Sequence, residues 1–322
     1  GMIPFMKKNF AVIGYGGQGG WHTRQILASD VAALTGIYDI DEKKAELAEK
    51  NGIHAYSSYE EVLADAAVDA VVIAVPNDCH KELVIKALEK GKNVICEKPV
   101  SLNAADVARV YSTAKSNNVK YMVAQVLRFW PEYSIIKEIY DTGKYGRLLS
   151  GHMGRLGVRP KWSWDGWMMD ENRSGLVPFD LHIHDLDFIV YAFGKPKEFK
   201  DYRARSENQD YINSIYEYDG FFITTEAAWY DAPYPFAANF RFQFEKALAV
   251  FENHEMTIYE KDGKIFKPVS QSGEDTGDIG LPKSNAYSNE INYFADCVLS
   301  GAEPDRVKPA ELETVISILK AL

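Results

Sequence analysis

The stretch NVICEKPVSLNAADV begins as a buried strand and ends as a capped helix, yet in between it sets Glu97 and Lys98 side by side ahead of Pro99. An ammonium at a strand end can donate to a hydroxyl oxygen and stabilise the negative charge that develops there when the proton leaves. The same two residues also suit a solvated ion pair at a rim, which would do no chemistry. A second polar interruption lies in PFDLHIHDLDFIVYAFG, whose spacing predicts one helix. At about 100° per residue, Asp180, His184, Asp187 and Tyr191 share a stripe, while Leu186, Ile189, Val190 and Phe193 form a separate apolar arc. The arc is expected to bury and the stripe to stay available for chemistry. A lone histidine is more often structural, but an imidazole with a pKa of about 6.5 suits proton transfer near neutrality. His182 falls near the apolar arc and reads as a packed histidine with one hydrogen-bond partner, or as bulk that reshapes a pocket. No metal site is expected from HIHD, because residues i and i+2 of a helix point apart.

These residues need elements to hold them. Over residues 8–126, the apolar runs FAVIGYG, AALTGIYD, DAVVIAVP, NVICEKP and KYMVAQV alternate with amphipathic stretches such as DEKKAELAEKNG and HKELVIKALEKG, each closed by a glycine. SSYEE offers two overlapping capping boxes, Ser57 with Glu60 and Ser58 with Glu61. Strand and helix in alternation predict a doubly wound parallel sheet, and chemistry then gathers at the carboxyl ends of its strands. The first turn, GYGGQGG, places Gly14, Gly16 and Gly19 in a G-x-G-x-x-G pattern, with Gln18 inside it, straight after a strand and before a helix. Asp39 follows at the end of the second strand, where a carboxylate can accept from the ribose hydroxyls of a dinucleotide. Its charge would repel a 2′-phosphate, and Ile40 stands where an arginine would welcome one, so NAD is expected rather than NADP.

The G-x-G-x-x-G turn, AVPN at 74–77 and EKP at 97–99 resemble the Gfo/Idh/MocA family of nicotinamide-dependent sugar and cyclitol oxidoreductases. The resemblance continues through RFWPEY, GKYGRLLSG, DLHIHDLDFI and NEINYFADCVLSG, nearly the whole chain. It implies a catalytic role for Lys98, a place for Glu97 near the nicotinamide ribose, and places for Asn77 and Gln125 lining the cofactor cleft. It also implies that His184 is the general base of a D-x-x-x-H element, with Asp180 orienting it or the substrate. His182 departs from the family pattern, which has a small residue there.

Beyond YGRLLSG the pattern changes to alternation. In NFRFQFE, Phe240, Phe242 and Phe244 face one side and Arg241 and Gln243 the other, as in a half-covered antiparallel sheet. Asp219 with Gly220, and Asp262 with Gly263, mark hairpin turns. The fold class is therefore α/β: an N-terminal Rossmann domain over residues 1–125, then an α+β domain over 126–322 with a large, mainly antiparallel, open-faced sheet for substrate binding and oligomerisation. SQSGEDTGDIGLPKSN reads as a long exposed loop. Tyr216, Tyr218, Phe222 and Trp229 either supply aromatic surface to a second copy or pack inside. The resemblance implies dimers or tetramers formed through the open sheet. Trp162, Trp164 and Trp167 either stack on a sugar ring or anchor a loop. Trp130 and the arginines Arg128, Arg155 and Arg159 could border the same cleft, the arginines reading an anionic substrate group or lying as plain surface charge.

A formal charge of −10 argues against nucleic acid or an anionic membrane surface as a main partner. With 46% hydrophobic and 25% charged residues, the 322-residue chain is globular in composition. Three scattered cysteines point to a reducing, cytoplasmic setting, and neither a signal peptide nor a membrane-spanning run is read; Gly1 before Met2 reads as an expression scar. The expected activity is hydride transfer between NAD and a secondary hydroxyl of a sugar, sugar derivative or cyclitol. Two alternatives are a glycoside hydrolase that oxidises and re-reduces its substrate on retained NAD, and an NAD sensor without catalysis.

Overall fold

Four consecutive residues of the strand Lys8–Ile13 (β1), from Phe10 to Ile13, are buried, so both faces of its sheet are covered. The computed structural model describes residues 6–76, 79–98, 103–161, 170–171, 175–269 and 285–322. In the first unit, β1 is joined by β2 (Ala32–Tyr38), β3 (Ala70–Ile73), β4 (Asn93–Glu97) and β5 (Tyr121–Ala124) in the parallel order β2-β1-β3-β4-β5. The connecting helices are α1 (Gly17–Leu27), α2 (Glu42–Lys50), α3 (Tyr59–Ala64), α4 (His80–Glu89) and α5 (Ala105–Ser116). Gly52 and Gly91, just past α2 and α4, take positive φ of 75° and 77°, as a left-handed helix stop requires. Ser58 caps α3 by accepting from the Glu61 N–H at 3.0 Å, and the Glu61 carboxylate reaches back to Ser57. The Ser57–Glu60 box does not form, because Glu60 turns to Lys86. Since β2 and β3 flank β1 on opposite sides, the winding reverses there, and a crevice is expected at the carboxyl ends.

The second unit is built on an eight-stranded sheet. Its elements are α6 (Pro131–Thr142), β6 (Leu148–Val158), a π-helical turn over Pro178–His182, α7 (Ile183–Phe193), β7 (Glu198–Ser206), β8 (Gln209–Tyr218), β9 (Phe221–Tyr230), β10 (Ala237–Phe244), β11 (Ala247–Glu252), β12 (Glu255–Glu260) and β13 (Ile265–Phe266). The order is β13-β12-β11-β10-β6-β9-β8-β7, antiparallel except where β6 runs parallel to β9. Phe240, Phe242 and Phe244 are buried while Arg241 and Gln243 are exposed, the alternation of a sheet covered on one face. Tyr133 of α6 packs edge-on against Phe188 of α7 and Phe240 of β10 at 5.3 and 5.0 Å between centroids. Gly220 and Gly263 make the expected turns with positive φ.

The chain then returns. Helix α8 (Ala286–Ser300) packs on α1, β1 and β2, with Phe294 edge-on to Phe10, so Asn285–Pro309 groups with the first unit. The last helix, α9 (Pro309–Lys320), groups with the second from Ala310 onward. The expected single boundary at 125 is amended accordingly, because the apolar face of α8 buries against the Rossmann sheet. The segment expected to form a long loop lies almost wholly outside the described residues. No helix among the described residues is long and apolar enough to cross a membrane.

Three charged groups lock the second unit internally. Arg128 is fully buried and donates to both oxygens of Asp187 on α7 at 2.7 Å, and to Glu311 on α9 at 2.7 Å. A planar guanidinium pairs with one carboxylate through two parallel N–H donors while a further N–H reaches the second, a fork that the ammonium of a lysine lacks. Removing it strands a buried carboxylate. Arg128→Ala is therefore expected to lower the unfolding free energy by about 3–5 kcal/mol in urea titrations; an unchanged midpoint would mean that the arginine is not structural.

Candidate active site

Every described residue expected to hold a dinucleotide lies at the carboxyl edge of the parallel sheet. Gly14 leaves β1 with φ +98°, and a Cβ there would meet the Ala74 carbonyl oxygen at 2.4 Å. A Cβ on Gly19 would lie 1.8 Å from the Gly14 carbonyl oxygen. Both glycines are demanded by backbone packing. Gly16 is different, for a Cβ on it would meet nothing within 4 Å among the described residues. Described neighbours thus do not demand glycine at that position, and its bare backbone leaves room for a ligand to approach closely. Helix α1 starts after Gly16 with no side-chain cap among the described residues and no acidic residue in its first turn, so its first N–H groups and dipole suit an anion. Gln18 is exposed on that turn.

Asp39, past the end of β2, accepts from the Tyr15 and Asp41 N–H groups at 2.8 Å, one on each oxygen. That fixes the carboxylate while leaving a lone pair on each oxygen for a ribose hydroxyl. Gln125, just past β5, is 2% exposed, and its Oε1 has no hydrogen-bond partner among the described residues. A buried amide oxygen left so is poised for a donor from a bound molecule. These features fit a dinucleotide. Asn77 and Pro99 lie outside the described residues.

Glu97 ends β4, and Lys98 follows it. The Glu97 carboxylate hydrogen-bonds Nε2 of His22, a fully buried side chain on α1. Burial opposes charge on Glu97, but His22, Lys98 and His80 together hold its carboxyl below the usual range. The opening Glu–Lys pair is thus more than a solvated rim pair, since Glu97 is tied to an interior imidazole.

In the second unit, Asp180 sits on the π-helical turn and His184 in the first turn of α7, both half-buried. One continuous α-helix was expected. The π turn adds a residue to its hydrogen-bonded ring, and π turns recur at functional positions. Just before it, Gly175 and Leu176 have φ of +77° and +57°, and a Cβ on Gly175 would strike Phe179 at 2.6 Å. The strain is held by Leu176 and Val177 packing on Ile212, Ala227 and Trp229, and by the Val177 N–H donating to buried Asp210 at 3.2 Å.

His182 is fully buried and bonds the Tyr216 hydroxyl at 2.7 Å, the packed histidine with one partner that the apolar arc implied. Burial and then the nearby Arg155 push its pKa down to about 4, so it is neutral near pH 7. Asp185 is buried against Arg155 at 3.1 Å.

A family model for the oxidoreductase family with an NAD-binding Rossmann fold matches residues 8–125, and the GFO/IDH/MocA C-terminal domain matches residues 133–257. The chain belongs to the Gfo/Idh/MocA family. It is 30% identical over 190 residues to 2,7-anhydro-N-acetylneuraminate hydratase of Escherichia coli, covering 59% of this chain and 50% of that protein. Over 311 residues it is 26% identical to scyllo-inositol 2-dehydrogenase (NAD(+)) of Bacillus subtilis, covering 91% of this chain and 87% of that one. The chain thus spans about half the length of the first curated relatives it matches. An NAD-binding protein from Listeria innocua superposes with a TM-score of 0.77 at 26% identity over 98% of this chain and 94% of that one.

In this Gfo/Idh/MocA chain, then, residues 8–125 are the NAD-binding Rossmann domain, and its edge gathers Gly14, Gly16, Gly19, Asp39, Glu97, Lys98 and Gln125. Other expectations need correction. Arg128 is consumed by Asp187 and Glu311 and is not offered to a ligand. Asp187 is therefore buried rather than available on the stripe, and Tyr191 lies against the same guanidinium at 4.6 Å. Trp130 is 7% exposed and packs edge-on to Tyr133. Arg155 is held inside by Asp185, and Arg159 pairs with Asp231 at 2.8 Å. Tyr216 and Trp229 are buried within the unit, leaving Phe222, 48% exposed, as open aromatic surface. Trp162, Trp164 and Trp167 lie outside the described residues. Sequence reading missed His22 and Glu290, although their polar types on otherwise apolar helix faces were a usable signal.

The contrast among the glycines is testable. Gly16→Ala should keep unfolding free energy within about 1 kcal/mol of wild type yet weaken NADH binding, read by fluorescence titration, by about tenfold or more. Gly19→Ala should instead lower stability by about 3 kcal/mol. Equal stability losses would assign all the glycines to the turn alone.

Proposed function

We propose that the protein is an NAD-dependent oxidoreductase that transfers hydride between nicotinamide and a secondary hydroxyl carbon of a sugar, sugar derivative or cyclitol. The observation that carries this reading is Lys98 placed directly after Glu97 at the carboxyl edge of the dinucleotide-binding sheet. NAD supplies the hydride acceptor; the side chains bind, orient and move the proton. The Lys98 ammonium would bind the substrate oxygen and stabilise its developing charge. His184 would take the hydroxyl proton, with Asp180 orienting it or a neighbouring hydroxyl. Glu97 would border the nicotinamide ribose, and Asp39 the adenosine ribose. The dehydrogenase of Bacillus subtilis that matches over most of this chain supports a cyclitol or sugar as substrate.

A second reading is favoured by the hydratase of Escherichia coli. On it, the same oxidation would be followed by elimination, addition of water and re-reduction, so that the cofactor is regenerated in each turnover. The two differ in net redox. A screen of sugars, sugar acids, aminosugars, inositols and anhydro sugars with NAD is expected to give lasting nicotinamide absorbance with at least one compound. Conversion without lasting absorbance would favour the second reading. Lys98→Ala should lose at least about a hundredfold in kcat while still binding NADH; equal turnover would remove Lys98 from the mechanism.

The outer face of the eight-stranded sheet is proposed to meet a second copy of the chain. Phe222 and Tyr259 are 48% and 44% exposed there, beside His152, Thr224, Arg241 and Gln243, around a groove of about 600 Å³. An apolar patch rimmed by polar groups suits such a contact. Light scattering should find more than one chain per particle in wild type and a smaller particle for Phe222→Arg. A single-chain wild type would overturn this.

A further inference from the structure

Helix α8, packed on α1, carries a buried carboxyl that the proposed reaction does not use. Glu290, on α8, is fully buried, and among the described residues neither of its oxygens has a hydrogen-bond partner. Nδ1 of His22 and Nε1 of Trp21, on the facing helix α1, are likewise buried without partners. Tyr287, one turn before Glu290, sets its ring edge-on to both Trp21 and His22, at 6.1 and 6.3 Å between centroids, which holds α8 against that part of α1. His22 in turn hydrogen-bonds Glu97.

We propose that the hydrogen-bonded pair Glu97 and His22 and the buried Glu290 form one electrostatically coupled cluster: Glu97 meets the cofactor, His22 orients it, and Glu290 limits the pH range over which that orientation holds. The inference rests on the functional reading above, in which Glu97 borders the nicotinamide ribose. His22 and Glu290 are positioning residues that act through Glu97.

Two buried carboxylates near one another cannot both carry charge cheaply. Around Glu97 stand His22 from α1, Lys98 next in the chain, His80 from α4 and Glu290 from α8, with the Cys96 thiol one residue before it on β4. His80 is itself bonded to the Val75 carbonyl at 2.6 Å. The cations and imidazoles favour charge on Glu97, whereas burial, and then the charge of Glu97, push the Glu290 carboxyl well above the ordinary range. Glu97 therefore holds the negative charge and Glu290 the proton. A group raised in the fold contributes stability that is complete below its unfolded value and is lost as pH rises through its folded value. Ionised Glu290 would repel Glu97 and so withdraw it from the cofactor. Binding in that range must then take up a proton.

The test uses the whole chain and NADH, without substrate. Wild-type Kd for NADH is expected to rise about fivefold or more from neutral toward alkaline pH, and calorimetry in two buffers should show uptake of about half a proton or more per chain at the alkaline end. Glu290→Gln, which keeps the shape but cannot ionise, should reduce that rise to less than about twofold and flatten the alkaline decline of the thermal midpoint. His22→Gln should weaken binding about tenfold at neutral pH. An alkaline rise that persists in Glu290→Gln assigns it to another group and overturns the proposal, as does wild-type binding with no proton uptake. The calorimetry decides the matter even if the variants do not fold. If NADH binds at no pH, the functional reading fails, and identical alkaline unfolding profiles of wild type and Glu290→Gln overturn the cluster separately.

Discussion

The backbone of α1 approaches the β1 turn so closely that a Cβ on Gly19 would lie 1.8 Å from the Gly14 carbonyl oxygen. No side chain can occupy that gap, so the contact sets both where α1 starts and how it leans on the sheet. Two consequences follow at the cofactor edge. The uncapped N-terminus of α1 is held over the strand ends, where its N–H groups and dipole can meet phosphate oxygens. Further along the same helix, His22 is carried to Glu97 at the end of β4. A glycine contact made for backbone packing thereby also determines the electrostatics next to Lys98. An alanine at Gly19 would disturb both ends of this arrangement, whereas a Cβ on Gly16 would meet none of the described residues, so Gly16 stands outside the constraint.

The second unit holds its candidate residues by a different means, matched charge in the interior. Asp185 and Asp187 leave α7 in roughly opposite directions, since two residues subtend about 200° on a helix. Each finds its own guanidinium, Arg155 on one side and Arg128 on the other. Burial alone would push both carboxyls up, and the arginines oppose it. Gripped from two sides, α7 has little freedom to rotate, and His184, one residue before Asp185, is placed accordingly. Such pairs add little net stability over apolar packing, but breaking one leaves an uncompensated buried charge. They act as registers for the helix. The strained Gly175–Leu176 entry and the π turn then deliver Asp180 to its own position.

Much of the architecture was legible because it rests on local rules. Periodicity located the strands of the parallel sheet and the half-covered alternation of Phe240, Phe242 and Phe244, since each depends only on which neighbours along the chain are apolar. Glycine spacing, with Asp39 at the next strand end, identified the dinucleotide edge. The apolar arc also anticipated a packed His182. The misreadings concern residues whose fate depends on distant partners. Arg128 looked like a cleft arginine until Asp187 and Glu311, far along the chain, were found to consume it. The spacing of 100° per residue does not run unchanged from α7 to Asp180, because the π turn over Pro178–His182 changes the phase.

The sequence by itself determined the order of elements, the Gly14 and Gly19 turn, the chemical types gathered at strand ends and the family to which the chain belongs. These follow from backbone sterics and apolar periodicity, which act over a few residues. Only the tertiary structure decided which buried charges neutralise one another, that α8 returns to the first unit, and that Glu290 is buried on the helix facing α1. Coulomb energy and desolvation depend on distances through space, and residues nearly 200 positions apart carry no mark of their proximity in the chain.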